Sequence, residues 1–257
     1  MKRTPVSFEP NSFPQQFHPL LADGNLFDSS CSNLAKVWFI DKGDGFYLKS
    51  APKGSLKTEA EMTAFFHSKG LASEVLSYVQ EDTDWLLTAR IPGEDCTHNQ
   101  YLDEPKRLCE TTATLLRSLH ETDTAGCPVS DHTKDYLATA ERNFRNGLCD
   151  LDGTPFHTPE EAWSIVQEYA GALRTDTLLH GDYCLPNIML DNWKFTGFID
   201  LDHGGIGDRH IDLFWGIWTL GFNLKTDAYR NRFLDAYGTD KIDMEILNAI
   251  SAFEVFG

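Results

Sequence analysis

A chain of 257 residues with 41% hydrophobic content is long enough to bury its own core, as one large domain or two small lobes, which argues against disorder. Its 39 acidic residues against 22 basic ones give a formal charge of −17, which works against any surface that must neutralise DNA or RNA phosphates and suits a small cation as partner. The longest uncharged apolar stretch, Leu213 to Leu224, is too short to span a bilayer and too deep in the chain for a signal peptide, so a soluble, cytoplasmic protein without membrane partner is expected. None of the six cysteines forms a C-x-x-C pair, and they read as reduced thiols; no H-E-x-x-H occurs, which removes the zinc hydrolases.

In chain order, the first twenty residues, with Pro5, Pro10, Pro14 and Pro19, read as an extended arm. Val37–Ile40 and Phe46–Lys49 are β-type runs joined by Asp41-Lys42-Gly43-Asp44-Gly45, a turn tolerant of positive φ, and predict a hairpin. Helical spacing runs from Lys57 to about Ser68 and stops at Gly70, and two further strands, Glu74–Val79 and Trp85–Ala89, flank the turn at Glu81–Asp84. After Pro92-Gly93 strands give way to helices: Pro105–Leu119, roughly Lys134–Asn146, and Pro159–Ala170 with Thr158 as N-cap and Glu161 three residues on. A hairpin with arms Asn187–Asp191 and Phe195–Leu201, turning at Asn192-Trp193, interrupts the helices, and three more helices follow. The pattern predicts an α+β, two-lobed architecture: residues 1–91 as a small lobe with a five-stranded antiparallel sheet and one helix, and 92–257 as a mainly helical lobe containing the hairpin.

The chemistry concentrates in His180-Gly181-Asp182-Tyr183-Cys184-Leu185-Pro186-Asn187 and the hairpin strand ending in Ile199-Asp200-Leu201-Asp202. Phosphoryl transfer needs Mg²⁺ held by hard oxygen ligands and an acceptor hydroxyl beside a carboxylate. Asp182 followed by Asn187 in D-x-x-x-x-N order, with Asp200 thirteen residues later, matches the kinase plan in which the first carboxylate takes the hydroxyl proton and the other two residues hold metal. The same plan asks for a cation on the ATP phosphates positioned by a helix carboxylate, and Lys49 at a strand end with Glu59 on the next helix supplies it. The segment Asp28-Ser29-Ser30-Cys31-Ser32-Asn33 stands where a phosphate-covering loop belongs; it lacks the glycines of the protein-kinase loop, but Ser29 and Ser30 can present backbone N–H groups to phosphate.

With these residues in view, the chain resembles the bacterial aminoglycoside 3′-phosphotransferases over nearly its whole length. Besides HGDYCLPNIML, the likeness rests on Asp84-Trp85-Leu86-Leu87, Ile91-Pro92-Gly93-Glu94-Asp95, Leu115-Leu116-Arg117-Ser118-Leu119-His120, Gly197-Phe198-Ile199-Asp200 and Gly205-Ile206-Gly207-Asp208-Arg209. The resemblance implies a protein-kinase-like fold, ATP and Mg²⁺ as cofactors, and transfer of the γ-phosphate to a hydroxyl, the 3′ one, of an aminoglycoside, conferring resistance. Carried over, it places Lys49 on the α- and β-phosphates with Glu59 as partner, the backbone of Ala89 and Ile91 at the adenine, Asp182 as catalytic carboxylate, and Asn187 and Asp200 as Mg²⁺ ligands. The cationic drug would be held by Asp150 and Asp152, from the loop after the second large-lobe helix, and by Glu254, expected free to face a cleft from the last helix. Asp202-His203 departs from the Gly-Arg usual in the family, and Asp208, Arg209 and Asp212 read as structural. Two other readings stand beside this one: a kinase of choline, a sugar or another small alcohol, and a non-catalytic nucleotide-binding module, against which the intact set Lys49, Asp182, Asn187 and Asp200 argues.

Overall fold

Strands separated by glycine-bearing turns build the first part of the chain, as the sequence predicts, in a computed structural model that describes residues 3–31 and 34–257. The elements in order are β1 (Thr4–Val6), α1 (His18–Ala22), β2 (Asn25–Asp28), β3 (Lys36–Asp41), β4 (Phe46–Pro52), α2 (Lys57–Ser68), β5 (Val75–Gln80), β6 (Thr83–Ala89) and β7 (Glu94–Asp95). Then come α3 (Asn99–Leu102), α4 (Pro105–His120), α5 (His132–Arg145), α6 (Pro159–Tyr169), β8 (Thr177–Leu179), β9 (Ile188–Asp191), β10 (Lys194–Phe198), β11 (Gly205–Gly207), α7 (His210–Leu224), α8 (Arg230–Tyr237) and α9 (Met244–Glu254). The chain divides into two compact units, Met1–Asp95 with Ile188–Asp202, and Cys96–Asn187 with His203–Gly257.

In the first unit an antiparallel sheet runs in the order β1-β2-β3-β4-β6-β5. It has six strands where the sequence predicts five, because the N-terminal segment is not an extended arm: Thr4–Val6 pairs with β2, and two 3₁₀ turns lead into α1. The reason lies in its apolar residues. Phe13, Phe17 and Leu21 pack with Leu26, Ile40, Leu48, Trp85 and Leu87 over one face of the sheet, which would otherwise be exposed. Prolines do not oppose this, since Pro10 and Pro19 sit in the first positions of their turns, where no N–H is needed. Ala51, Leu56, Ala60 and Leu86 form a second cluster with α2. Alternation along β4 therefore sends Leu48 into the first cluster, and Lys49 and Ala51 to the α2 side.

The hairpin of β9 and β10 belongs to this unit too, a correction to its expected place within residues 92–257. The backbone explains it. β9 pairs on its other edge with β7, Gly93 has no Cβ where one would meet the Leu190 carbonyl oxygen at 2.1 Å, and the Phe198 N–H donates to the Leu71 carbonyl at 2.8 Å. The turn itself is as predicted, with Asn192 and Trp193 both at positive φ (48° and 68°) in the manner of a type I′ hairpin. The second arm ends at Phe198, short of the expected Leu201, and Asp200 takes a left-handed φ of 55°.

In the second unit α6, α7 and α9 pack around a cluster that includes Val166, Ile211, Ile250, Phe253 and Phe256. The α4 stripe of Leu108, Thr112, Leu116 and Leu119 is buried at helical spacing. Thr158 caps α6 as predicted, its Oγ1 accepting the Glu161 N–H. α5 starts at His132, two residues before the expected Lys134, because Asp131 caps it by accepting the Lys134 N–H. β8 and β11 pair antiparallel and bring Leu179 opposite Gly205. None of the six cysteines is in a disulfide, and no helix among the described residues is long and apolar enough to cross a membrane.

Candidate active site

In the first unit three of the expected residues meet. Lys49 Nζ donates to Glu59 Oε2 at 2.7 Å and to Asp200 Oδ1 at 3.1 Å. Asp84 prepares this by accepting the Leu56 N–H at 3.0 Å, which fixes the entry to α2 one turn before Glu59. Burial alone would lower the Lys49 pKa, but Asp200 and Glu59 outweigh it and the ammonium is held protonated. Burial also acts on Glu59, raising its carboxyl to about 7 against the pull of Lys49. The result is a fixed cation between two oxygen acceptors, with the Asp200 side chain half exposed. Such a cation suits nucleotide phosphates. Asp200 is non-glycine at positive φ, a conformation that costs about 1–3 kcal/mol and persists where the surroundings demand it.

The serine loop does not take the form expected of it. The Ser29 N–H donates to the Val37 carbonyl at 2.8 Å and the Ser30 N–H to Asp28 Oδ1 at 2.9 Å, while Ser30 Oγ accepts from the Val37 N–H. Both amides are committed inside the loop because the Asp28 side chain and β3 supply their acceptors, and Ser29 is buried. Ser32 and Asn33 lie outside the described residues. Ala89 likewise commits its N–H to the Glu74 carbonyl at 3.0 Å and could offer an adenine only its carbonyl. Ile91, just past β6, is a buried apolar side chain.

In the second unit the loop that carries Asp182 follows β8. Gly181 has φ +85°, and a Cβ there would lie 1.8 Å from the His203 carbonyl oxygen, so only glycine can bring the chain this close. Asp182 is positioned by Asn187, whose Nδ2 donates to Asp182 Oδ2 at 2.8 Å and to the Asp182 carbonyl at 3.0 Å. One carboxylate oxygen is thereby oriented, and with its NH₂ engaged the Asn187 side chain has only its amide oxygen available to a hard cation. An amide oxygen and a carboxylate suit Mg²⁺, which takes one or two protein oxygens and completes its shell with phosphate and water. Asn187 and Asp200 thus each carry an oxygen of the kind this ion takes. Burial keeps the neighbouring Cys184 thiol protonated.

The residue that holds this loop is Asp212, read from sequence only as structural. Fully buried on α7, it accepts the His180 N–H on Oδ2 and the Gly181 N–H on Oδ1, both at 2.8 Å, and His120 Nε2 at 3.1 Å. Burial works against its charge, but the His120 and backbone donors hold its pKa below the usual value. His120 is kept neutral, chiefly by burial, with Tyr237 donating to its Nδ1 at 2.8 Å. Asp208 plays a comparable part, binding the Arg174 N–H and His210. No local sequence signal distinguishes Asp212 from a surface carboxylate; its partners lie 31, 32 and 92 residues away.

Of the expected drug-binding carboxylates, Glu254 is not free as predicted. Tyr136 donates to its Oε1 at 2.6 Å, in a ring stack of His132, Tyr136 and Phe253. Burial raises its carboxyl to about 7, Tyr136 and Trp215 oppose that rise, and the charge of Asp182 adds to it, so Glu254 and Asp182 share one electrostatic neighbourhood. Asp150 is exposed, and its N–H donates to the Val255 carbonyl at 2.8 Å, which ties its loop to the end of α9 beside Glu254. Asp152 is exposed, with its N–H on Asp150 Oδ1.

Residues 23–249 match the model of a family described as "Phosphotransferase enzyme family". The chain belongs to that family. Among relatives of this phosphotransferase, a protein of Lactococcus lactis subsp. lactis (strain IL1403) called "Probable aminoglycoside 3′-phosphotransferase" is 51% identical over 95% of both chains. An aminoglycoside 3′-phosphotransferase of Niallia circulans is 31% identical over 79% of this chain and 80% of its own. The crystal structure of an aminoglycoside-3′-phosphotransferase of type VIII superposes with a TM-score of 0.74 at 22% identity, covering 96% of both chains. A Streptomyces rimosus aminoglycoside phosphotransferase in complex with ADP and streptomycin gives 0.71 at 23% identity, over 94% of this chain and 96% of its own. The phosphotransferase thus has the protein-kinase-like fold of these neighbours.

Proposed function

We propose that this phosphotransferase moves the γ-phosphate of ATP to the 3′ hydroxyl of an aminoglycoside, and so confers resistance to it. The observation that carries the reading is the Asp182 carboxylate, fixed by Asn187 and electrostatically coupled to Glu254. The substrate class rests on the relative 51% identical over nearly the whole chain. Lys49, held by Glu59 and Asp200, takes the negative charge of the nucleotide phosphates. Asp182 accepts the hydrogen bond of the acceptor hydroxyl, aims its oxygen for in-line attack and receives its proton as the new P–O bond forms and the bond from the γ-phosphorus to the bridging oxygen breaks, that oxygen leaving with ADP. Mg²⁺, when bound by Asn187 and Asp200, supplies neutralisation of the phosphate charge. Glu254, with Asp150, pairs with acceptor ammonium groups, for which the excess of carboxylates provides a favourable field.

A coupled ADP-release assay over aminoglycosides, choline and simple sugars tests the substrate class. Turnover confined to aminoglycosides bearing a 3′ hydroxyl, with phosphorus NMR locating the product phosphate there, is the expected result; turnover of choline or a sugar alone would replace it. Because general-base positioning is worth roughly 10²–10⁴, Asp182→Asn should lower kcat by that order while ATP affinity stays near wild type.

A further inference from the structure

One side of α7 carries a ladder of aromatic rings that runs from the helical core out to the surface. Trp215, Trp218 and Phe222 recur at three- and four-residue spacing, while Ile211, Asp212, Leu213, Gly216, Thr219 and Leu220 of the same helix are buried. Trp215 packs against the helical core, its ring edge-to-face with Trp218 at 5.4 Å. Trp218 then stacks on Phe222 at 5.0 Å and an interplanar angle of 11°. These last two rings are 46% and 56% exposed, unusual for large aromatics on a helix whose other face is core.

Two observations identify what such a surface would receive. Its inner end, Trp215, neighbours the Glu254 carboxylate, so the ladder starts at the group expected to pair with an acceptor ammonium. Its outer end already holds a cation, since Lys225 places its ammonium 4.1 Å from the centre of the Phe222 ring. A row of π-faces leading from a buried carboxylate to a ring that takes an ammonium matches a molecule of linked rings bearing several amines. It does not match a small single cation, which Glu254 alone would satisfy.

We propose that Trp218, backed by Phe222, is a specificity-determining wall of the acceptor site, stacking on the outer ring of a multi-ring aminocyclitol acceptor whose inner ring lies by Glu254. The inference rests on the aminoglycoside reading above and deepens it. Trp218 orders acceptors by size: contact with it exists only when a ring extends beyond the Glu254 subsite, so it acts on acceptor KM and leaves the phosphoryl step to Asp182.

The test compares wild type, Trp218→Ala and Trp218→Phe with a three- or four-ring aminoglycoside and with its two-ring fragment, measuring kcat, acceptor KM and ATP KM. Since Trp218 is exposed, the variants should fold; circular dichroism verifies it. Trp218→Ala is expected to raise KM about fivefold or more for the larger acceptor, on the scale of a cation–π or stacking contact. It should change KM for the fragment less than twofold, with kcat and ATP KM unmoved and Trp218→Phe retaining most of the affinity. Wild-type turnover of aminoglycosides with no change of KM in Trp218→Ala overturns this inference and leaves the proposed function standing. An equal rise in KM for acceptor and fragment overturns the wall as a discriminator of size. A wild-type enzyme that turns over no aminoglycoside overturns both. If sedimentation shows a wild-type dimer that Trp218→Ala dissociates, with KM unchanged, the ladder belongs to a second copy of the chain and the proposal fails.

Discussion

Replacing Asp212 by Asn removes a charge and exchanges one acceptor oxygen for a donor of the same shape. In the more favourable rotamer the amide oxygen occupies the Oδ2 position and still accepts from His180 N–H and His120 Nε2, and the amide NH₂ then faces the Gly181 N–H, now 2.8 Å from another donor. One orphaned buried donor costs about 1–3 kcal/mol, and losing charge assistance on the remaining bonds brings the total to about 3 kcal/mol or more. That is a large part of the 5–15 kcal/mol typical of a domain. Gly181 precedes Asp182, so the strain is released at the catalytic carboxylate, where a displacement of about 1 Å is worth on the order of 10² in rate. Urea unfolding and steady-state kinetics should therefore show a lower midpoint and a kcat reduced about a hundredfold, with ATP KM near wild type. Because the folded pKa of Asp212 lies below its unfolded value, its stabilisation is present above the unfolded pKa and is lost as pH falls through the folded one. The difference between wild type and Asp212→Asn should shrink accordingly in acid. Wild-type kcat together with an unchanged urea midpoint in Asp212→Asn would refute the assignment of Asp212 as the anchor of the loop.

Other consequences are accessible to the same assays. Activity should vanish in EDTA and return with Mg²⁺, and Asp200→Ala should weaken MgATP binding as well as turnover; full activity in chelator would remove Asn187 and Asp200 as metal holders. With the Glu254 carboxyl at about 7, acceptor KM should fall as pH rises through about 7 and the anion forms, and Glu254→Gln should raise KM roughly tenfold and flatten that dependence. The stability linked to Glu254 has the opposite sense: its raised pKa makes the contribution complete below the unfolded value near 4.5, and it is lost as pH rises to about 7, so Glu254→Gln should lessen the fall in melting temperature over that window. Gly181→Ala, whose Cβ would sit 1.8 Å from the His203 carbonyl oxygen at a φ of +85°, should cost about 4 kcal/mol or more, or displace the loop and abolish turnover; a stable, active variant would contradict the close approach.

Local patterns in the sequence determined much of this protein. Period-two runs and glycine-bearing turns marked β3, β4 and the β9–β10 hairpin, and the Thr158 cap marked α6, because each depends on neighbours in the chain. The spacing of Asp182, Asn187 and Asp200 was legible for a like reason: one loop and one hairpin carry all three, and Asn187 indeed donates to Asp182. Lys49 and Glu59 were legible because the kinase plan asks for a strand cation and a helix carboxylate. What needed the tertiary structure depends on distant partners. The N-terminal segment reads as an arm until Phe13 and Phe17 find Trp85 on the sheet. Ser29 and Ser30 read as phosphate donors until Asp28 and Val37 take their amides. Asp212 reads as one carboxylate among 39 acidic residues until the fold brings His120, His180 and Gly181 to it. Glu254 reads as a free anion until Tyr136, 118 residues away, closes on it and burial raises its pKa. A hydrogen bond within one turn is encoded by adjacent residues, whereas desolvation and long-range pairing exist only after the chain has packed.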